Sequence, residues 1–324
     1  MRAPLRETSP GFPEGRHIWR VTPISAPAAH GRMQHCLDSR RHGGSPDSIA
    51  LRVPMPPFAK KAPELHELPP PGLHLLAMEF RAPWELGAVL PAWPLLQRAP
   101  LGDGHSVIVF PGLTAGDPTT LPLRRYLESR NYQTHGWGQG LNLGPRHGVL
   151  EAAKQQLVET SQKSGARVSL VGWSLGGVYA RELAKEMPDL VRCVITLGTP
   201  FAGPHTSTNA WRIYQFASGR EVHREAEHYN LPEAPPVPTS SIYSRTDGVV
   251  AWRGSIQAPA PHNPHTENIE VVASHFGIGL HPGAWWVVAD RLSQPQGPGV
   301  VWQPFKRPTL PGLNLIYPDP QRGR

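Results

Sequence analysis

The sequence predicts an α/β protein with a mostly parallel central sheet and helices on both of its faces. Strand-like and helix-like segments alternate from residue 73 onward. The strand-like segments are short, continuous apolar runs, such as "HSVIVFPG" (105–112) and "VRCVITLG" (191–198), rather than apolar–polar alternations. A strand buried on both faces reads this way, and parallel strands joined by crossover helices are buried on both faces.

The elements follow in order. "EFRAPWELGAVLPAWPLLQRA" (79–99) has helical apolar spacing interrupted by prolines and reads as a helix or broken helix leading into the domain. The run at 105–112 is the first strand and ends in Pro-Gly. "PTTLPLRRYLESRN" (118–131) is a helix, with Asp117 and Pro118 at its start and Leu123, Tyr126 and Leu127 on one face. A brief strand, "YQTHGW" (132–137), precedes the amphipathic helix "GVLEAAKQQLVETSQKSG" (148–165), which Gly165 stops. "RVSLVGW" (167–173) is a strand, "SLGGVYARELAKEMP" (174–188) a helix ended by Pro188, and 191–198 a strand. "TSSIYSRTDG" (239–248) and "NIEVVASHF" (268–276) each carry a strand, and "GAWWVVADRLSQ" (283–294) is a helix.

Composition sets the frame. Apolar residues make up only 39% of the 324, and there are 39 prolines. Residues 1–72 hold 13 of these prolines and are also dense in Arg, Gly, Ser and His. Such a segment buries too little surface to offset its chain entropy. Residues 1–72 are therefore expected to be a disordered basic arm, and 73–324 the folded domain. Much of the net charge of +7 sits in the arm. Basic arms can touch nucleic acid, but no aromatic interleaving or recognition helix accompanies this one, so no nucleic-acid partner is expected. The 16 histidines and 2 cysteines show no metal-ligand spacing, so neither a metal site nor a cofactor is expected. The longest apolar stretch, "LGAVLPAWPLL" (86–96), is too short and too proline-broken to span a bilayer. With no apolar signal segment at the start, the default expectation is a cytoplasmic protein.

One short motif carries chemistry. In "VGWSLGG" (171–177), Ser174 sits where a predicted strand meets a predicted helix. A sharp strand-to-helix turn would lift its hydroxyl above the sheet and bring the residues two before and two after it close together. Gly172 and Gly176 fit that constraint, and the helix start aims free N–H groups at the same point. A serine hydroxyl is a weak nucleophile without a base to take its proton and an acid to orient that base. Asp247 follows the strand "SSIYS" and precedes Gly248, so it tops a strand in a loop. Asp189, Glu233 and Asp290 fit less well. His275 comes directly off "IEVVAS" (269–274) and rises on the same sheet edge. His262 and His265 lie in a proline-rich loop, and His281 is the remaining rival. Oxyanion donors are expected from the N–H of Leu175 and from the loop "PGLTAGD" (111–117), with Leu113 first and Thr114 next.

From about residue 75 to 305 the chain resembles an α/β-hydrolase of the bacterial lipase/esterase-like group. The residues that carry this are "VIVFPGLTAGD", "HGWGQGLNLGP", "VSLVGWSLGGVYARELA", "VITLGTPFAG", "YSRTDGVVAWR" and "SHFGIGLHP". One departure is Pro111–Gly112, where many lipases carry His-Gly; the backbone donor survives it. The resemblance implies a Ser174–Asp247–His275 triad and hydrolysis of a small-molecule or lipid carboxylic ester through an acyl-enzyme. An acyltransferase or a non-catalytic binding protein on the same fold is the alternative. Insertions between "GTPFAG" (198–203) and the strand at 239 resemble a small helical cap, here about 203–235. Trp211, Tyr214 and Phe216, at helical spacing within 209–230, and Trp173 are the substrate-pocket candidates. The other reading of 209–230 is a surface helix on the sheet edge.

Overall fold

The computed structural model describes residues 68–204, 207–209, 230–297, 300–308 and 315–319. A helical leader comes first: α1 (Leu73–Ala77), a 3-10 turn (Met78–Arg81), α2 (Ala82–Gly87) and α3 (Val89–Leu96). Then follow β1 (Ser106–Phe110), α4 (Asp117–Ser129), β2 (Gln133–His135), α5 (Val149–Ser164), β3 (Val168–Trp173), α6 (Leu175–Glu186), β4 (Val191–Leu197), β5 (Thr239–Tyr243), β6 (Thr266–Glu270) and α7 (Pro282–Leu292). Two differences from the sequence reading stand out. The leader starts with α1, ahead of the periodic stretch at 79–99. The packed chain also starts earlier than the expected boundary after residue 72, because Leu68 is buried and the side chain of Asn209 donates to the carbonyl of Pro71 (3.0 Å). Residues 1–67, most of the expected arm, lie outside the described residues, as do Trp211, Tyr214 and Phe216 of the expected cap.

The six strands pair in the order β2-β1-β3-β4-β5-β6, and every pairing is parallel. Period-2 geometry splits each central strand between two cores. Val107 and Val109 of β1, with Val171 of β3 and Ile195 of β4, face a core filled by α3, α4 and α7. Ile108 and Phe110 of β1, with Leu170 of β3 and Val194 of β4, face the other, filled by α5 and α6. Apolar residues on both faces are what made the strands read as unbroken runs. β2, a three-residue edge strand, is partly exposed, as edge strands that must not recruit partners tend to be.

The order of strands also says where a ligand would sit. From β1 the chain moves outward to β2, then returns to place β3 on the other side of β1. The loops after β1 and β3 therefore diverge and open a crevice at the carboxyl ends of these two strands, the usual ligand position in an open α/β sheet. Both the loop at 111–117 and Ser174 emerge there.

Candidate active site

Ser174 occupies the turn between β3 and α6 with φ 51° and ψ −121°. A side chain with Cβ at positive φ stores roughly 1–3 kcal/mol of strain. Only three described non-glycine residues have positive φ, and two of them, Ser174 and Thr114, flank this crevice. The turn is held by the Ser174 N–H, which donates to Leu197 O of β4 at 2.8 Å. A Cβ on Gly172 would strike the backbone of Gly176 and Gly177, and one on Gly176 would strike the carbonyls of Phe110 and Pro111. Both obstacles are backbone, so neither can move aside.

The loop after β1 lies against this turn. Gly112 is close enough that a Cβ there would sit 3.3 Å from Ser174 Cβ. Among the described residues the Leu113 N–H has no acceptor, whereas the Thr114 N–H is spent on Asn142 O at 2.7 Å. Leu175, as the first residue of α6, has no acceptor for its N–H within the helix. Leu113 and Leu175 thus present free donors beside the serine, reinforced by the positive end of the α6 dipole.

His275 and Asp247 complete a hydrogen-bonded line. His275 Nε2 lies 3.0 Å from Ser174 Oγ, and its Nδ1 lies 2.7 Å from Asp247 Oδ2. Asp247 Oδ1 accepts the N–H groups of Val249 (2.8 Å) and Val250 (2.7 Å). With Asp247 so held as a carboxylate, Nδ1 carries the ring proton and Nε2 is left to accept from the serine O–H. Burial works against a charged ring at His275. The charge and hydrogen bond of Asp247, and then the charge of Glu79, outweigh it and raise the histidine above its ordinary value.

The rivals do other work. His281 caps α7, its Nδ1 accepting the Gly283 N–H at 3.0 Å, and burial pushes it below the usual histidine value. His262 bonds the carbonyl of Ala234 (2.9 Å), and Asp290 is an ion-pair partner of Arg291. Trp173, a pocket candidate, is buried. Its indole N–H donates to His275 O at 3.0 Å, so the ring braces the histidine loop from below. A second acid–histidine–serine line, Asp103–His105–Ser169, sits at the opposite end of the sheet. There Ser169 is wholly buried within β3, and Arg192 engages the acid. That line joins strands; without a turn, free donors or access it offers no chemistry.

Three residues that shape the site escaped the sequence reading. Asn142, fully buried in the "GLN" of the quoted loop, donates to Pro111 O (2.8 Å) and accepts from Tyr179 OH (3.3 Å) and the Gly144 N–H (3.2 Å). It is the peg under the 111–115 loop. Asn142→Ala would leave the Pro111 carbonyl short of the donor it now has, at roughly 1–3 kcal/mol for an unsatisfied buried group. A melting temperature lowered by several degrees is expected, and an unchanged one would mean that the loop holds itself. The other two are Glu79 and Glu85 of the leader, both buried. The available signal was two carboxylates six residues apart in a mostly apolar helical stretch.

Residues 9–222 match the family model of the alpha/beta hydrolase fold. The chain belongs to that family. Solved structures similar to this α/β-hydrolase include lipase B of Aspergillus fumigatus, with 21% identity over 59% of this chain and 53% of that one and a TM-score of 0.46. A pyrethroid hydrolase from Sphingobium faniae JZ-2 has 18% identity over 59% of this chain and 98% of that one, with a TM-score of 0.44. The mouse alpha/beta hydrolase domain-containing protein 10 has 17% identity over 57% of this chain and 87% of that one, with a TM-score of 0.44. The α/β-hydrolase described here thus spans about half the length of the fungal lipase. No match was found among curated proteins. Among the described residues, no group of three or more His, Cys, Asp or Glu is placed to hold a metal ion, and no helix is long and apolar enough to cross a membrane.

Proposed function

We propose that this α/β-hydrolase cleaves carboxylic esters through an acyl-enzyme on Ser174. The observation that carries the reading is the line Ser174 Oγ–His275 Nε2 (3.0 Å) and His275 Nδ1–Asp247 Oδ2 (2.7 Å), set on a strained turn beside two free backbone donors. In this reading the hydroxyl attacks the ester carbonyl while His275 takes its proton. The N–H groups of Leu113 and Leu175 hold the oxyanion, where each such donor contributes about 3 kcal/mol to the transition state. The protonated ring then returns the proton to the departing alkoxide, and water attacks the acyl-serine with His275 again as base. Asp247 holds the tautomer and stabilises the imidazolium. The substrate class proposed is a small-molecule or lipid ester.

A fluorophosphonate probe tests the reading, since it reacts with an activated serine and ignores a buried one. Peptide mapping is expected to place the label on Ser174 and never on Ser169, in a protein that also turns over para-nitrophenyl esters. Labelling at another serine would overturn the assignment. Labelling at Ser174 without release of acid would favour acyl transfer to a different acceptor.

A further inference from the structure

The loop that carries His275 belongs to no strand, yet three of its backbone N–H groups are engaged. Three consecutive N–H groups donate to two carboxylates of the leader. Ser274 N–H goes to Glu85 Oε1 (2.8 Å), His275 N–H to Glu79 Oε1 (2.9 Å) and Phe276 N–H to Glu79 Oε2 (2.9 Å). Glu79 Oε1 also accepts the N–H of Gly248 (2.7 Å), the residue that follows Asp247. One buried carboxylate thus grips both the loop of the acid and the loop of the base.

Two features make this more than a filled space. Among the described residues Glu79 has no cation of its own, because the Arg81 guanidinium goes to Glu85 (2.9 Å) and to Thr246 O (2.9 Å). A buried carboxylate is costly unless hydrogen bonds compensate it, and three charge-assisted N–H bonds do so here. Both loops also carry glycine where the leader closes on them. A side chain at Gly248 would collide with the carbonyl of Leu75, and one at Gly277 with the carboxylate of Glu85. The fit is mutual, with acids on the leader and bare backbone on the loops.

We infer that Glu79 is a positioning residue of this site: it ties the loop of Asp247 to the loop of His275 and fixes the imidazole between Asp247 and Ser174. The inference rests on the reading of Ser174 and His275 as the reacting pair. The charged groups on this loop are Asp247 from the β5 side, Glu79, Glu85 and Arg81 from the leader and, beyond Glu85, His281 at the head of α7. Of these, Asp247 and Glu79 raise the His275 value. Removing the Glu79 charge therefore lowers it, and the acid limb of kcat/KM, which needs the neutral ring, moves to lower pH.

The experiment compares the full-length protein with its Glu79→Gln and Glu79→Asp variants. Its readouts are the NMR titration of selectively labelled histidine and the pH profile of para-nitrophenyl ester hydrolysis. Glu79→Gln is expected to cut kcat about 10- to 100-fold, the scale of a small misplacement of a reacting group, with KM within about twofold. Its His275 titration and acid limb are expected to move together to lower pH. Glu79→Asp keeps the charge and loses reach, so kcat falls while the limb stays. A residue that merely supports the fold would change melting temperature and leave the limb where it was. Unchanged kcat and an unmoved titration in a folded Gln variant would overturn the inference. If Glu79→Gln does not fold, Glu79→Asp decides by its kcat, and undiminished turnover there overturns it equally. A wild-type protein that hydrolyses no ester would sink the ester reading alone, since the histidine titration still reports whether Glu79 acts on His275.

Discussion

Ser174→Ala is expected to lower kcat/KM for a para-nitrophenyl ester by about 10⁴-fold or more, because members of a nucleophile–base–acid set act as a unit. The free donors of Leu113 and Leu175 survive the change and leave only residual catalysis. The fold is expected to persist, since one oxygen is lost and the turn still meets Leu197 O through its backbone. The same position gives a stability test. At φ 51° a Cβ is strained, by about 1–3 kcal/mol. Glycine relieves that strain and loses roughly 0.5–1 kcal/mol through the freedom of the unfolded chain. Ser174→Gly should therefore be as inactive as Ser174→Ala and melt at a higher temperature than it. An alanine variant that keeps comparable turnover ends the proposal for Ser174. A glycine variant that melts below the alanine one shows that the turn is not strained.

The parts of this molecule that were legible in the sequence are those governed by local chemistry. Continuous apolar runs mark β1, β3 and β4, because both faces of each strand are buried. Gly172 and Gly176 point to the turn because close backbone approach tolerates no Cβ, and the pattern is confined to five residues. Asp247 and His275 stand out because each follows a strand. What stayed hidden is long-range. Glu79 meets His275 across 196 positions of sequence, and nothing near Glu79 marks its carboxylate as buried rather than solvated. The proline-broken helical spacing of 79–99 identified the leader without revealing which face it turned inward. Asn142 was hidden for a similar reason. A buried asparagine between two leucines looks like an ordinary loop residue until the Pro111 carbonyl it holds, 31 positions away, is in view.

The leader also changes how the site should be pictured. In the sequence it reads as an approach to the domain. In the fold its carboxylates satisfy the backbone of the His275 loop, and α3 packs into the same core as α4 and α7. The support for the imidazole thus comes from three sides: Asp247 at the ring, Trp173 beneath the carbonyl of His275, and Glu79 at its N–H. Placement of a general base to within a fraction of an ångström depends on such surroundings, since an unsupported loop would spread the ring over many geometries.

His275→Ala should be nearly as damaging to kcat/KM as Ser174→Ala, about 10⁴-fold, while His281→Ala should stay within about threefold of wild type. The two residues are six apart and both buried, so burial does not separate them; their partners do. His275 joins an acid to the serine hydroxyl, whereas His281 accepts the Gly283 N–H and starts α7. Losing a helix cap costs about 1 kcal/mol, so His281→Ala is expected to lower the melting temperature by a few degrees with its catalysis spared. The pH profile adds a second discriminator. Asp247 and Glu79 raise His275, so its neutral form is lost at a higher pH than for a free histidine. Activity on an uncharged ester should then begin to fall on acidification above the ordinary value of 6.5. Were His281 the base, its burial-lowered value would put that fall below 6.5. An acid limb below 6.5, or a ranking in which His281→Ala is the more damaging variant, would move the base to the head of α7 and remove Asp247 from the reaction.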